Sequence, residues 1–252
     1  MSEINGQSIE AIKSRLSAVK DRIEQASRRA GRDPNEVTLV AVSKTWSHST
    51  ILAAYGAGLR HFGENRPEEL AEKRPQVEAV LGKDSGIVWH SIGDLQSRKT
   101  SQAAEHSDVF HALDRLKIAR RLSRHMVELN RRLPVLLEVN VSGEKSKSGF
   151  AASVWEEDSQ QIDTLCEIVD EISGLPGLDI RGLMTMAFWD APETQIRDVF
   201  CRTRLLGKRL KEDFPDCDLS WLSMGMTGDF EVAIEEGATH VRIGRAIFGE
   251  RQ

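Results

Sequence analysis

Val37-Thr38-Leu39-Val40-Ala41-Val42, followed at once by Ser43-Lys44, is a short apolar run rich in β-branched residues. A strand covered on one face alternates apolar and polar residues, whereas so continuous a run reads as a strand buried on both faces of a parallel sheet. The rest of the chain repeats the sign. Strand-like runs follow at 60–63, 87–92, 109–113, 135–141, 180–186, 219–224 and 240–243, which makes eight with the first. Helix-compatible stretches separate them at 50–57, 67–81, 95–105, 115–131, 152–172, 192–214 and 230–236. Pro192 suits a first helical turn, Thr227 or Asp229 can cap the last of these helices, and Gly237 suits its C-terminal stop.

Eight strands alternating with helices, with no long linker between them, predict an α/β fold closed as a single (β/α)8 TIM-type barrel. An open doubly wound sheet uses the same alternation. The length of 252 residues matches one barrel of about 250, so residues 1–252 are read as a single domain. Ile9, Ile12, Leu16, Val19 and Ile23 recur at helical spacing in a charged segment, which makes residues 1–31 an extra amphipathic helix preceding the barrel. The stretch after Gly244 is too short for a second fold.

Composition narrows the function classes. An apolar fraction of 40% with 29% charged residues suits a soluble chain with a substantial core. The net charge of −5 and the dispersed Lys and Arg give no footprint for nucleic acid. Cys166, Cys201 and Cys217 are far apart and form no C-x-x-C, so neither a disulfide framework nor a metal site is indicated, and a reducing compartment fits. There is no signal-peptide core and no bilayer-length apolar run, hence no membrane partner and an expected cytoplasmic location. No partner-helix stripe stands out, and a monomer is expected.

Barrels of this kind carry their working groups at the C-terminal ends of the strands, with phosphate often held after the seventh and eighth. The seventh run leads into Ser223-Met224-Gly225-Met226-Thr227-Gly228, where glycines allow close backbone approach and hydroxyls supply donors. The eighth leads into Arg242-Ile243-Gly244-Arg245, adding another glycine and two cations. Each alone also reads as a tight strand-to-helix turn; their placement on the last two strands points to a phosphate cup. Lys44 ends the first strand, beside the eighth in a closed barrel. Partial desolvation and nearby Arg242 would favour its neutral amine, the form that attacks an aldehyde, while a solvated lysine leaving a strand end is the plainer alternative. Glu64 and Asn65 after the second strand, His90 on the third, and Asn140 and Ser142 on the fifth are expected to line the same mouth. A single histidine such as His90 is also commonly a satisfied core residue. Lys145 and Lys147 lie in a Ser/Lys/Gly loop and are expected to be solvated. Gly56-Ala57-Gly58 lacks the last glycine of a dinucleotide fingerprint and precedes a strand; no Walker loop, H-E-x-x-H or nucleophile elbow is present.

Val40-Ala41-Val42-Ser43-Lys44-Thr45, His61-Phe62-Gly63-Glu64-Asn65 and Trp89-His90-Ser91-Ile92-Gly93-Asp94-Leu95-Gln96 resemble the pyridoxal 5′-phosphate (PLP) homeostasis protein family. Val139-Asn140-Val141-Ser142, Ser146-Lys147-Ser148-Gly149, Arg181-Gly182-Leu183-Met184, Leu222-Ser223-Met224-Gly225-Met226 and Val241-Arg242-Ile243-Gly244-Arg245 continue the match in order. The resemblance implies a barrel similar to the N-terminal domain of alanine racemase, with PLP as cofactor in a Schiff base on Lys44. It further implies that Ser223 and the backbone at Gly244 and Arg245 hold the phosphate, that Arg242 faces the pyridine nitrogen and that Asn65 lies near the ring. Ser91 stands where the family has an aromatic, Arg98 where it has asparagine, and Arg66-Pro67 alters the stretch after Asn65, all at the rim.

An arginine facing the ring nitrogen leaves it unprotonated and weakens the cofactor as an electron sink. The racemase relatives take a second base, a tyrosine, from another domain, whereas the only tyrosine here is Tyr55, in the helix after the first strand. The expectation is a carrier that sequesters PLP and supplies it to PLP-dependent apoenzymes. The alternatives are a PLP-dependent amino-acid racemase or lyase using His90 or water as second base, and a sugar-phosphate isomerase.

Overall fold

The computed structural model describes residues 9–250; expectations for 1–8 and 251–252 lie outside the described residues. The strands are β1 (Thr38–Val42), β2 (His61–Glu64), β3 (Val88–Ser91), β4 (Val109–Leu113), β5 (Leu133–Asn140), β6 (Phe150–Ala151), β7 (Leu178–Met184), β8 (Trp221–Ser223) and β9 (His240–Ile243). Their order is β4-β3-β2-β1-β9-β8-β7-β5, and pairing of β4 with β5 closes the ring. All eight predicted strands are therefore staves of one closed parallel barrel, and the open-sheet alternative falls. The two-residue β6 only extends β5 at its end, through Val139↔Phe150.

The helices are α1 (Ile9–Arg29), α2 (His48–Gly56), α3 (Pro67–Leu81), α4 (Thr100–His106), α5 (Leu116–Glu128), α6 (Ser159–Ser173), α7 (Glu193–Asp213), α8 (Phe230–Glu235) and α9 (Arg245–Phe248). Two start later than apolar periodicity predicts. Before α4, Arg115 and Arg121 take the carbonyls of Leu95 and Ser97 at 2.8 and 3.1 Å, keeping that segment out of the α-helix, with Ser97–Lys99 as a single 3-10 turn. Before α6, Gln161 accepts from Val154 N at 2.8 Å and Asp158 caps Gln160 N.

The first helix does more than precede the barrel. Because α9 is only four residues long, the seam between β9 and β1 needs another cover, and α1 supplies it by packing against α8, α9 and α2. Its apolar stripe, Ile12, Leu16, Val19 and Ile23, is buried there, each side chain contributing about 1.5–3 kcal/mol. Arg22–Glu231 and Arg29–Glu235 ion pairs flank the stripe; being partly exposed, they set its rotation more than its stability.

Close packing of neighbouring staves depends on Gly182, at φ 153°, where an added Cβ would lie 1.8 Å from the carbonyl oxygen of Trp221. Inside the barrel, β1 points Thr38 towards a cavity at the N-terminal mouth and Val42 towards one at the C-terminal mouth. Among the described residues no helix is long and apolar enough to cross a membrane, and no group of His, Cys, Asp or Glu is placed to hold a metal ion.

Candidate functional site

The cavity at the C-terminal mouth has a volume of about 850 Å³. Lys44, Asn65, Arg242, Gly244 and Arg245 all line it, with Thr227 and Gly228. Five predicted residues from three separate strand ends thus meet in one place, joined by Thr227 and Gly228 from a fourth. Lys44 sits in a turn directly after β1 whose next residue, Thr45, has φ 69°, an uncommon conformation for a β-branched residue that surrounding bonds must hold.

Those bonds come from a buried network. Ser43 Oγ donates to Glu64 Oε1 at 2.6 Å, Lys73 Nζ donates to Glu64 Oε1 and to the Ser43 carbonyl at 2.9 and 3.0 Å, and Glu69 Oε2 accepts from Lys73 Nζ and from Thr45 N at 2.8 and 2.7 Å. Glu64 is fully buried, and burial pushes its carboxyl up to about 7 against the pull of Lys73. Glu64 therefore does not line the mouth as expected: it is a strut under the lysine turn. Lys73 was missed altogether, its one sequence signal being the Glu69–Lys73 spacing of four on a helix.

On the opposite side, β8 and β9 end in the expected glycine-rich turns. Gly225 has φ 93°, and a Cβ there would come within 2.6 Å of the Ala233 side chain. Asp229 Oδ1 accepts from Met226 N at 2.5 Å and closes the loop, which presents Thr227 and Gly228 to the cavity. Gly244 brings the backbone close to β1, its missing Cβ lying 3.2 Å from the Val42 carbonyl oxygen. Arg245 is exposed at the rim, over the ring of Trp189 at 5.9 Å.

Arg242 is the buried cation of the site. Its Nη1 donates to Ser223 O and Oγ, both at 2.6 Å, and its Nη2 to Thr185 O at 2.9 Å. Burial lowers its pKa to about 10, partly offset by Asp229 and Glu138, so it stays charged at neutral pH. Glu138, inside the barrel on β5, is 1% exposed and neither carboxylate oxygen has a hydrogen-bond partner. Burial, then Asp94 and Asp114, push it up to about 7.

Two expected contacts are corrected. Ser223 does not line the cavity; it is fully buried, between Arg242 and His111. Its strand parity turns it into the barrel, and the hydroxyl that reaches the mouth is that of Thr227. His90 is not at the mouth either. It sits within β3 rather than beyond its end, 1% exposed, bonded to His61 and His111 at 2.9 and 2.8 Å.

Other expectations divide. Asn140 shapes the loop after β5, its side chain bonding Glu144 O and Gly143 N. Lys145 is exposed as predicted, but Lys147 is not solvated: its Nζ donates to Met186 O and Ala187 O at 3.2 and 2.8 Å. Tyr55 bonds Ser85 O and lies under Arg60, with no part in the cavity. An amine, a buried guanidinium, hydroxyl and amide donors and a glycine cradle around one cavity suit a small aldehyde with an anionic tail.

Residues 14–252 match the family model described as alanine racemase, N-terminal domain. The chain is 42% identical over 249 residues to the pyridoxal phosphate homeostasis protein of Vibrio cholerae, covering 96% of this chain and 97% of that one. With the protein of the same name from Pseudomonas aeruginosa it shares 43% over 236 residues, 94% of each chain. Among solved structures, PipY of Synechococcus elongatus with PLP bound superposes with a TM-score of 0.78 at 33% identity, over 94% of this chain and 100% of that one. Alanine racemase of Clostridium difficile, 12% identical with a TM-score of 0.67 over 96% of this chain and 56% of that one, shares the fold.

Proposed function

The chain belongs to the family of pyridoxal phosphate homeostasis proteins, and from that premise we propose that it binds PLP at the C-terminal mouth, covalently through Lys44 Nζ, to hold and supply the cofactor. The observation that carries this reading is the convergence of Lys44 with Thr227, Arg242, Gly244 and Arg245 on one cavity. PLP supplies an aldehyde that condenses with a neutral amine, and a phosphate that needs donors.

Each residue has a task in that arrangement. Lys44 offers the amine from a turn fixed by Glu64, Glu69 and Lys73. Thr227, the backbone of Gly228 and Gly244, and Arg245 hold the phosphate; Arg242 faces the ring nitrogen; Asn65 lies beside the ring. A guanidinium cannot give its proton to that nitrogen at neutral pH, which keeps the ring a poor electron sink.

Holding is favoured over turnover by the residues around the cavity: no imidazole or phenol stands among its described lining, and the tyrosine and His90 are committed elsewhere. The protein acts in the cytoplasm as a monomer, with PLP-dependent apoenzymes as recipients. Purified protein is expected to show the absorbance band of the lysine-bound cofactor, lost in Lys44→Ala. Holo-protein is expected to reactivate an apoenzyme faster than free PLP does in the presence of a PLP trap, and to exchange no α-deuterium from amino acids. Saturable exchange that requires Lys44 would instead establish the racemase or lyase reading.

A further inference from the structure

A chain of hydrogen bonds crosses the barrel interior from one mouth to the other. Arg242, on the C-terminal cavity, donates to Ser223 Oγ at 2.6 Å; Ser223 Oγ meets His111 Nδ1 at 2.8 Å, His111 Nε2 meets His90 Nδ1 at 2.8 Å, and His90 Nε2 meets His61 Nδ1 at 2.9 Å. His61 lines the N-terminal cavity of about 520 Å³. The members come from β9, β8, β4, β3 and β2, so the chain joins five staves.

One group fixes its direction. A guanidinium only donates, and a serine hydroxyl has one hydrogen to give. Among the described hydrogen bonds Ser223 Oγ has two partners, and since Arg242 fills an acceptor site, its hydrogen is satisfied only by going to His111 Nδ1. A neutral imidazole that accepts on one nitrogen donates from the other. His111 then donates from Nε2 to His90, His90 from Nε2 to His61, and His61 directs its own Nε2 hydrogen towards the N-terminal cavity. The opposite polarity would bury a serine hydrogen with nothing to bond.

We infer that His61, His90, His111 and Ser223 form a one-directional hydrogen-bond wire that positions the Arg242 guanidinium for the cofactor, with all three histidines neutral and protonated on Nε2. The function assigned to Arg242 rests on the PLP-binding reading; the direction of the wire does not. A second proton on His61 or His90 would set two N–H groups face to face, and one on His111 would set its Nδ1–H against the Ser223 hydroxyl hydrogen, so the wire disfavours charge. Burial lowers the pKa of all three, and His90 and His111 also feel neighbouring imidazoles. His240, whose ring lies 5.9 Å from that of His111, stays outside the wire through its bond to Thr239.

The test uses the full chain with ¹⁵N-labelled histidine and no cofactor, reading tautomers by long-range ¹H–¹⁵N correlation. His61, His90 and His111 are each expected to carry the proton on Nε2. In Ser223→Ala the lock is removed at one end, and His61, three hydrogen bonds away, is expected to become a mixture of tautomers. Any of the three protonated on Nδ1 in the unmodified protein, or a His61 signal indifferent to Ser223→Ala, overturns the wire. With PLP added, His111→Phe is expected to weaken binding about five- to tenfold, the scale of one lost hydrogen bond, whereas His111→Gln, which can still accept and donate, stays within about twofold. Equal affinities of the Phe and Gln variants would refute the positioning role. Adduct mapping on the same samples reports Lys44 separately: loss of the adduct removes the PLP reading and leaves the tautomer result standing.

Discussion

The two mouths of the barrel are built from the same eight strands and differ in what their residues are committed to. At the C-terminal mouth, Lys44, Asn65 and Thr227 are carried on turns, Arg245 opens α9, and all four line an open cavity. Towards the N-terminal mouth, His61, His90, His111 and His240 fill the interior, bonding chiefly one another and nearby hydroxyls. Arg242 belongs to both. A change in the interior should therefore cost stability, and a change at the C-terminal mouth should cost affinity with the fold intact.

The largest effect is expected where the regions meet. Arg242→Ala leaves the Ser223 and Thr185 acceptors without their donor and removes the cation that acts most strongly on Glu138, and a loss of roughly 3–5 kcal/mol in urea unfolding is expected, as for a broken buried charge network. A variant that keeps full stability and loses only PLP would place Arg242 wholly at the mouth. Lys73→Met comes next: Glu64 loses its counter-charge at a fully buried site, for about 2–4 kcal/mol. That loss should be larger at pH 8 than at pH 5, because the folded-state pKa of Glu64 is raised: its contribution is whole below the unfolded value of 4.5 and disappears as pH rises through about 7.

Thr227→Val tests the opposite region. PLP affinity is expected to fall about five- to tenfold with the melting temperature unchanged, by spectrophotometric titration beside thermal unfolding. A loss in Ser223→Ala well beyond that of His111→Phe, with an undisturbed fold, would return the phosphate contact to Ser223. The smallest effect belongs to Glu138→Gln. Glu138 too has a raised pKa, so charging it between about pH 4.5 and 7 weakens the fold. The amide should be more stable than the parent at pH 8 and no different at pH 4, in paired melts; equal shifts at both pH values would mean that the carboxyl is solvated.

The sequence made the staves legible because strands buried on both faces must be continuously apolar, and Val37 to Val42 shows this without help from the rest. Lys44, Asn65, Gly244 and Arg245 were legible for a related reason: residues immediately past a strand end have one mouth available to them. Ser223 and His90 were misread because they lie within strands, where alternate side chains point inward and distance from the strand end decides which layer they fill. The histidine wire joins positions 61, 90, 111 and 223 on four strands, and no local pattern announces it. Lys147 was unreadable for the same reason, its acceptors being some forty residues away. The place of α1 follows from the shortness of α9, which becomes visible only once the ring is closed.

Borohydride reduction of PLP-loaded protein, followed by peptide mass mapping, tests the central claim most directly. The account predicts a reduced cofactor on the peptide containing Lys44 and on no other lysine. Label on Lys147 or another lysine, or recovery of the cofactor without any adduct, would contradict it.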